Sequence, residues 1–309
     1  MAHFSFIFPG QGSQSVGMMA DFNDHPLIKS TFNEASEVLN VDFWKMATEP
    51  NEDINQTIHT QPILLTAGIA TWRLWQSKSD KLPTYLAGHS LGEYSALVAS
   101  NAIEFKDALK LVKYRAEVMQ KAVPEGVGAM AAILGMTDQE VVTACKEAQE
   151  NEVVEAVNFN SPGQVVIAGN VLAVERAIEI AKSKGAKRAI MLPVSVPSHC
   201  SLMQKASEEL RVYLDTISIH KPSINVIHNV DVMTHDDANS IKDALSKQLC
   251  HPVRWVETIE KIASYQISDI AECGPGKVLT GLTKRISAEL KGAALVSENA
   301  IDEFEIHTQ

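Results

Sequence analysis

The amino-acid sequence predicts an α/β protein in which a large domain with a parallel sheet is interrupted by a small inserted domain. Two observations predict this fold class. A short apolar strand at residues 85–87 leads through a tight turn into a helix at 93–99. Residues from about 125 to 194 follow the order strand, helix, strand, strand, helix, strand, the split pattern of ferredoxin-like (βαββαβ) domains. A chain of 309 residues with 45% hydrophobic residues can fill both cores.

The predicted large domain covers residues 1–123 and 196–309. Its first strand, at 4–8, ends at the glycine-rich turn PGQG. A helix is predicted to begin near Thr60, with Thr60 as its N-cap and Pro62 in its first turn. The other elements predicted in this part are the strand at 85–87 and helices at 93–99 and 107–122.

The predicted small domain covers residues 124–195. Thr137 and Glu140 have the spacing of a capping box, which predicts the start of a helix. Gly185 is the expected stop of the second helix. The predicted elements are strands at 130–134, 153–157, 164–168 and 188–194, and helices from 137 and at 171–184.

The chain then returns to the large domain. Four apolar residues spaced along one helical face predict a helix after His199; they are Leu202, Ala206, Leu210 and Leu214. Further predictions are strands at 224–230 and 270–273, and helices at 241–249, 255–263 and 278–290. The acidic tail after Ser297 is expected to be peripheral.

Charge and cysteine content exclude several classes of protein. A net charge of −11 argues against nucleic acid or an anionic membrane surface as the main partner. No two cysteines form a C-x-x-C pair, so neither a zinc site nor a disulfide framework is expected; they are Cys145, Cys200, Cys250 and Cys273. The start of the chain has no basic leader, and no apolar run could span a bilayer. We expect a cytoplasmic protein.

The most informative motif is GHSLG at residues 88–92. It fits the G-x-S-x-G nucleophile elbow, and a strand before it and a helix after it are the context that this motif needs. A serine on such a turn has an exposed hydroxyl, near N–H groups and a helix N-terminus that favour negative charge. The alternative is a chance match in a glycine-containing turn. We interpret Ser90 as a candidate nucleophile.

Serine needs a base, and His199 is the best candidate among ten histidines. It lies in a loop just after a predicted strand, where side chains face the end of the sheet. His89 is next to the serine, but adjacent elbow residues point in different directions, so we interpret it as structural. No acidic residue stands out as the group that orients the base. A carbonyl or an amide could serve, because the partner only has to fix the tautomer.

Acyl transfer also requires donors for the developing oxyanion. The N–H of Leu91, the residue after the nucleophile, is one candidate. The turn at residues 10–12 follows the first strand, so it can lie at the same end of the sheet and supply a second donor. A dinucleotide site at this turn is a poor match, because Ser15 stands where the third glycine of G-x-G-x-x-G belongs.

Arg115 interrupts the apolar face of the helix predicted at 107–122. Arginine is almost never fully buried without a partner. Two interpretations remain open at this point. The arginine stem could lie on the core while its head reaches water, or the guanidinium could await an anion.

Taken together, the motifs of this chain resemble those of the malonyl-CoA:acyl carrier protein transacylases of bacterial fatty-acid synthesis. The similarity runs from end to end, and its motifs together are highly specific. They are FPGQGSQ at residues 8–14, GHSLGE at 88–93, NFNSPGQ at 158–164, VPSH at 196–199 and GPGK at 274–277. The resemblance implies an α/β-hydrolase-like large domain with an inserted ferredoxin-like small domain.

The resemblance also implies a role for each candidate residue. Ser90 would carry the acyl group, and His199 would be its base, oriented by the backbone carbonyl of Gln248. Backbone N–H groups of Gln11 and Leu91 would form the oxyanion hole. Arg115 would bind the malonyl carboxylate, and the thioester arm would be lined by Met119 and Asn160.

The implied reaction is ping-pong transfer of malonyl from malonyl-CoA, through a malonyl-serine, to the phosphopantetheine thiol of acyl carrier protein. It implies no metal or redox cofactor, and phosphopantetheine is carried by the partner protein. We expect a monomer that binds neither nucleic acid nor membrane. Because such carriers are acidic, we hypothesise a basic docking patch, with solvated helix ends as the alternative; the candidates are Lys182, Lys184, Lys187, Arg188, Lys284 and Arg285.

Two other functions fit parts of the sequence. A serine esterase or thioesterase would use the same elbow, with water as acceptor and an Asp or Glu on the histidine. It gives no reason for an arginine in the pocket. A non-catalytic module that binds the carrier would share the fold, but the intact Ser90, His199 and Arg115 argue against it. The strictness for malonyl and the choice between fatty-acid and polyketide carriers are left open.

Overall fold

The computed structural model describes residues 3–194 and 196–308. Its strands are β1 (Phe4–Phe8), β2 (Tyr85–Gly88), β3 (Gly128–Leu134), β4 (Val154–Ser161), β5 (Gln164–Asn170), β6 (Arg188–Met191), β7 (Asn225–Ile227), β8 (Asp269–Glu272) and β9 (Lys291–Ala294). Its α-helices are α1 (Pro26–Leu39), α2 (Phe43–Thr48), α3 (Thr57–Lys78), α4 (Gly92–Ala99), α5 (Phe105–Ala122), α6 (Asp138–Ala148), α7 (Val171–Ser183), α8 (Gln204–Leu214), α9 (Ala238–Gln248), α10 (Trp255–Ser264), α11 (Val278–Ile286) and α12 (Glu298–His307).

The larger sheet is parallel and has the order β7-β2-β1-β8-β9. Strand β1 is buried along its whole length, as strands covered by helices on both faces must be. Its last residue, Phe8, pairs with Gly88 at the end of β2. The loops after β1 and β2 therefore leave the same edge of the sheet side by side, which is where α/β sheets bind ligands.

The smaller sheet is antiparallel and has the order β4-β5-β3-β6. Helices α6 and α7 pack against it around a separate apolar cluster that includes Ile133, Val165 and Ile167. The prediction of an α/β fold with an inserted ferredoxin-like unit is confirmed. For the exact domain limits we propose 1–123 with 196–309, and 124–195; position 195 lies outside the described residues.

Helix α3 begins at Thr57, and its N-cap position is Gln56, four residues before the predicted cap. The Thr60 hydroxyl does not cap the helix, because it donates to the carbonyls of Ile54 (2.7 Å) and Gln56 (3.0 Å). Pro62 consequently lies inside the helix. The prediction of an N-cap at Thr60 was wrong because a threonine hydroxyl can bond to a preceding carbonyl as readily as to an N–H.

The end of the chain also differs from expectation. The helix predicted to reach residue 290 ends at Ile286, and β9 then joins the large sheet beside β8. The acidic tail is not peripheral. It forms α12, whose Phe304 is buried with its ring 5.7 Å from those of Phe4 and Trp75.

Smaller differences concern strand ends. The strands predicted at 188–194 and 224–230 are shorter, at Arg188–Met191 and Asn225–Ile227. No helix within the described part of the chain has both the length and the apolar character needed to cross a membrane.

Candidate active site

Ser90 occupies the sharp turn between β2 and α4 with a left-handed backbone, φ 51°. Both flanking glycines are required by close backbone approach. A Cβ at Gly88 would lie 1.9 Å from the carbonyl carbon of Gly92, and one at Gly92 would lie 2.0 Å from the Phe8 oxygen. The turn can therefore form only with glycine on either side, and it is pressed against the end of β1.

Asn229 fixes the elbow through two hydrogen bonds, and it was not among the site residues predicted from the sequence. Its Oδ1 accepts from Ser90 N at 2.7 Å, and its Nδ2 donates to the Gly88 carbonyl at 2.7 Å. Asn229 is fully buried just after β7, the neighbour of β2. A polar residue at a buried strand end was the available signal, but the strand predicted at 224–230 ran through it.

His199 lies within hydrogen-bond distance of the serine. Its Nε2 is 2.8 Å from Ser90 Oγ, and its Nδ1 is 2.7 Å from the Gln248 carbonyl oxygen. A carbonyl only accepts, so Nδ1 carries the proton and Nε2 is the acceptor for the serine hydroxyl. The loop is left-handed at His199 (φ 67°), and His199 N donates to the Leu249 carbonyl at 2.8 Å.

The electrostatics of the site keep the imidazole neutral. Burial lowers the pKa of His199 to about 3, and the positive charge of Arg115 acts in the same direction. At neutral pH the ring is therefore unprotonated and able to take the serine proton. Burial likewise lowers the pKa of His89.

Arg115 is buried, with only 2% of its surface exposed, so the interpretation with its head in water does not hold. The guanidinium donates from Nη1 to Gln61 Oε1 (2.7 Å), and from Nη2 to Gln248 Oε1 (2.9 Å) and Ser90 Oγ (3.1 Å). It also lies 5.4 Å from the ring centre of Tyr94. All three acceptors are neutral oxygens, and burial lowers the arginine pKa. The arrangement is suited to a carboxylate ligand.

A cavity of about 510 Å³ opens above these residues. Its wall includes all the predicted site residues except Gln248 and Asn160, together with Met130, Asn158 and residues 192–194 from the smaller-sheet side. Among residues 3–194 and 196–308, the backbone N–H groups of Gln11 and Leu91 donate to no protein acceptor. Neither N–H group thus has a competing protein acceptor, as donors to an oxyanion require.

Asn160 is not part of the wall of this cavity, and its role beside the thioester arm stays a prediction. Its Oδ1 lies 2.8 Å from His89 Nε2, so its side chain is hydrogen-bonded to a residue of the elbow. Asn158 is on the cavity wall instead. The register of β4 shifts between Ala156 and Asn158 and again between Phe159 and Ser161, and such bulges redirect side chains that simple alternation would place together.

The six candidate basic residues occupy three places in the fold. Lys187 and Arg188 precede or begin β6, at one edge of the smaller sheet, whereas Lys284 and Arg285 end α11, which packs against β4 at the other edge. The remaining two lysines are in ion pairs: Lys182 with Glu179 and Lys184 with Glu147. One docking patch formed by all six residues therefore stays a hypothesis.

Nothing in the described ranges gathers three or more histidine, cysteine or acidic side chains as a metal site would.

Comparison with known proteins gives concordant matches. The family model of the acyl transferase domain matches residues 5–297. The malonyl CoA-acyl carrier protein transacylase of Haemophilus influenzae is 52% identical over 310 residues, covering 98% of this chain and 99% of the relative. That of Escherichia coli K12 is 52% identical over 303 residues, covering 97% and 98%.

Solved structures agree with these matches. The malonyl CoA-acyl carrier protein transacylase from Coxiella burnetii superposes with a TM-score of 0.97 at 46% identity, covering 99% of this chain and 98% of that chain. A type II PKS acyl-carrier protein in complex with its malonyl-transacylase gives a TM-score of 0.97 at 49% identity, covering 99% and 100%.

Proposed function

The chain belongs to the acyl transferase family, and from that premise we propose that it transfers malonyl from malonyl-CoA to the phosphopantetheine thiol of acyl carrier protein, supplying fatty-acid synthesis. The protein is an acyltransferase, as its relatives are. One observation carries the proposal within the site. Ser90 Oγ lies between a neutral imidazole at 2.8 Å and a buried guanidinium at 3.1 Å.

In the first half-reaction, Ser90 Oγ attacks the thioester carbonyl while His199 Nε2 takes the hydroxyl proton. The carbonyl oxygen becomes an oxyanion, for which the N–H groups of Gln11 and Leu91 are the proposed donors. Losing one such donor typically costs about 10²–10³ in rate. The C–S bond then breaks, His199 returns the proton to the sulfur, and CoA leaves as a thiol. The product is a malonyl-serine.

Arg115 is the proposed ligand of the malonyl carboxylate. In malonyl, one carbon separates the carboxylate from the reacting carbonyl, so the anion must be bound close to the nucleophile. The Arg115 Nη2–Ser90 Oγ distance of 3.1 Å meets that requirement. A bidentate pair in a buried site favours an acyl group with a terminal carboxylate over acetyl.

In the second half-reaction, the phosphopantetheine thiol gives its proton to His199 and attacks the malonyl ester. The ester C–O bond breaks, and Ser90 recovers the proton. Every step uses side chains and backbone of this chain, so we propose a mechanism without metal or redox cofactor, in which phosphopantetheine belongs to the partner.

The esterase alternative is not favoured. It predicted that an Asp or Glu accepts a hydrogen bond from the base histidine, whereas His199 Nδ1 lies 2.7 Å from the Gln248 carbonyl oxygen. It also left Arg115 without a role.

We also propose a cytoplasmic location and a monomeric state. The location is supported by the four cysteines, which are free thiols, as expected in a reducing compartment.

A transfer assay tests the proposed function. The protein is mixed with malonyl-CoA and with acyl carrier protein that bears phosphopantetheine, and the products are separated. Malonyl-carrier as the main product is expected, with none formed by Ser90→Ala. Free malonate as the main product, whether or not carrier is present, would favour the hydrolase.

A further inference from the structure

Glu93 is a fully buried carboxylate at the start of α4 that the proposed mechanism does not use. Its Oε1 lies 2.7 Å from His228 Nδ1. Its Oε2 accepts from Asn229 N at 2.9 Å and from Gln248 Nε2 at 3.0 Å. A carboxylate without water is costly unless donors surround it, and here both oxygens are engaged.

The Gln248 side chain connects this carboxylate to the substrate-binding side of the site. Its Oε1 accepts from Arg115 Nη2 at 2.9 Å, while its Nε2 donates to Glu93. A guanidinium can only donate, and Glu93 Oε2 is an acceptor, since it also accepts from Asn229 N. The groups at the two ends therefore fix the orientation of the amide, since a flip would set donor against donor and acceptor against acceptor.

Arg115 depends on this amide for its direction. Of its three acceptors, Gln61 lies on α3, and Ser90 Oγ is the atom that reacts. Gln248 Oε1 is a fixed acceptor on the elbow side, because Gln248 Nε2 also donates to the Ser90 carbonyl at 3.0 Å.

We propose that Glu93 is a positioning residue that sets the preference for malonyl, by holding the Gln248 amide in the orientation that directs Arg115 toward Ser90. The proposal rests on the proposed function, in which Arg115 binds the acyl carboxylate. Glu93 also supports Asn229 and hence the elbow, but that support affects every acyl group alike. The ratio of malonyl to acetyl acylation therefore isolates the route through Gln248.

The test compares two variants, in each of which a buried glutamate is shortened to aspartate. Glu93→Asp keeps the charge but withdraws the oxygens from their donors. Glu272→Asp is the matched control: Glu272 is equally buried, and its carboxylate accepts from Leu279 N and from Thr280 N and Oγ1 at the start of α11. Rates of malonyl and acetyl transfer to Ser90 are measured in single turnovers, with thermal unfolding as the check on folding.

We expect Glu93→Asp to lower the malonyl-to-acetyl ratio about tenfold, since small misplacements of a substrate-orienting group have effects of this size. Glu272→Asp should lower the unfolding temperature and leave the ratio unchanged. Equal ratios in the wild type and Glu93→Asp would overturn the proposal.

Gln248→Met provides a second test, which also serves if Glu93→Asp does not fold. It removes the amide, keeps the backbone carbonyl for His199, and leaves Glu93 bonded to Asn229. The malonyl-to-acetyl ratio should fall as it does in Glu93→Asp. In the double variant the ratio should fall no further, because both changes break the same connection from Glu93 through Gln248 to Arg115. An unchanged ratio in Gln248→Met, or losses that multiply in the double variant, would contradict the inference.

The wild type separates this inference from the proposed function. If the wild type forms no malonyl-Ser90, the proposed function fails. If it forms that adduct but the variants keep its selectivity, only the role of Glu93 fails.

Discussion

Ser90 Oγ donates toward His199 Nε2 at 2.8 Å and accepts from Arg115 Nη2 at 3.1 Å. The first contact favours loss of the serine proton. The second occupies an oxygen lone pair, which the proposed binding of an acyl carboxylate to the guanidinium would release. The same two side chains can thus hold the serine at rest and prepare it for attack when substrate arrives.

The first residue-scale prediction concerns Arg115→Ala. Malonyl transfer to Ser90 should fall on the order of 100-fold, because a buried hydrogen bond to a charged group is worth about 1.5–3 kcal/mol. Acetyl transfer should change much less. Arg73→Ala is the control, since Arg73 pairs with Glu34 away from the cavity. Parallel losses for the two acyl groups would contradict the role of Arg115.

The second concerns the pH dependence of malonyl transfer. Since burial lowers the pKa of His199 to about 3, the free enzyme keeps its base unprotonated far below the ordinary value of 6.5. We expect kcat/KM to stay level from pH 8 to about pH 5. A fall in kcat/KM centred near the ordinary histidine pKa would show that His199 is not held in this environment.

Bound malonyl should partly reverse this shift, because its carboxylate neutralises the Arg115 charge that helps to lower the pKa of His199. The acid limb of kcat, which reports the complex, should therefore lie at higher pH than that of kcat/KM.

Some residues of the site could be identified from the sequence, and others could not. Ser90 and Arg115 stood out because each breaks a local pattern, one by its glycines and the other by its charge on an apolar face. Gln61 and Glu93 each take part through contacts with residues distant in the chain. A buried amide or carboxylate in a helix gives no local signal of such a partner.

At the scale of elements, the site is assembled by strand order. Strands β1 and β2 are neighbours in a parallel sheet, so the loop with Gln11 and the elbow with Ser90 emerge together. Strand β7 lies on the other side of β2 and brings Asn229 beneath the elbow. The elements themselves were mostly predictable from local pattern, whereas their order in the sheet was not.

The packing of helix α12 was predicted wrongly from the sequence. Its observed packing leads to a prediction about stability. Phe304→Ala should lower the free energy of unfolding by about 3–5 kcal/mol, because it empties a site among Phe4, Phe6 and Trp75. Ile306→Ala, on the same helix with 65% of its surface exposed, should have little effect. Urea unfolding of both variants is the measurement, and equal stabilities would show that α12 is peripheral after all.

The acidic composition of the tail hid this packing. Its two buried residues, Ile301 and Phe304, are spaced three apart on one face, while its acidic residues lie among the other positions. A single turn of apolar spacing is too short a signal to separate a docked helix from a solvated one.

At the scale of the whole molecule, the cavity needs both sheets. Ser90, Arg115 and His199 belong to the larger part, and Met130 and Asn158 reach it from strands of the smaller sheet. The inserted unit was predictable from its element order, but the register shifts in β4, next to Asn158 on the cavity wall, were not predictable from any sequence pattern.

The most direct measurement is mass spectrometry of the protein after mixing with malonyl-CoA alone, with the modified peptide mapped. The account predicts one malonyl group on Ser90, absent from Ser90→Ala and released when acyl carrier protein bearing phosphopantetheine is added. An unmodified protein, or a malonyl group carried on any residue other than Ser90, would contradict it.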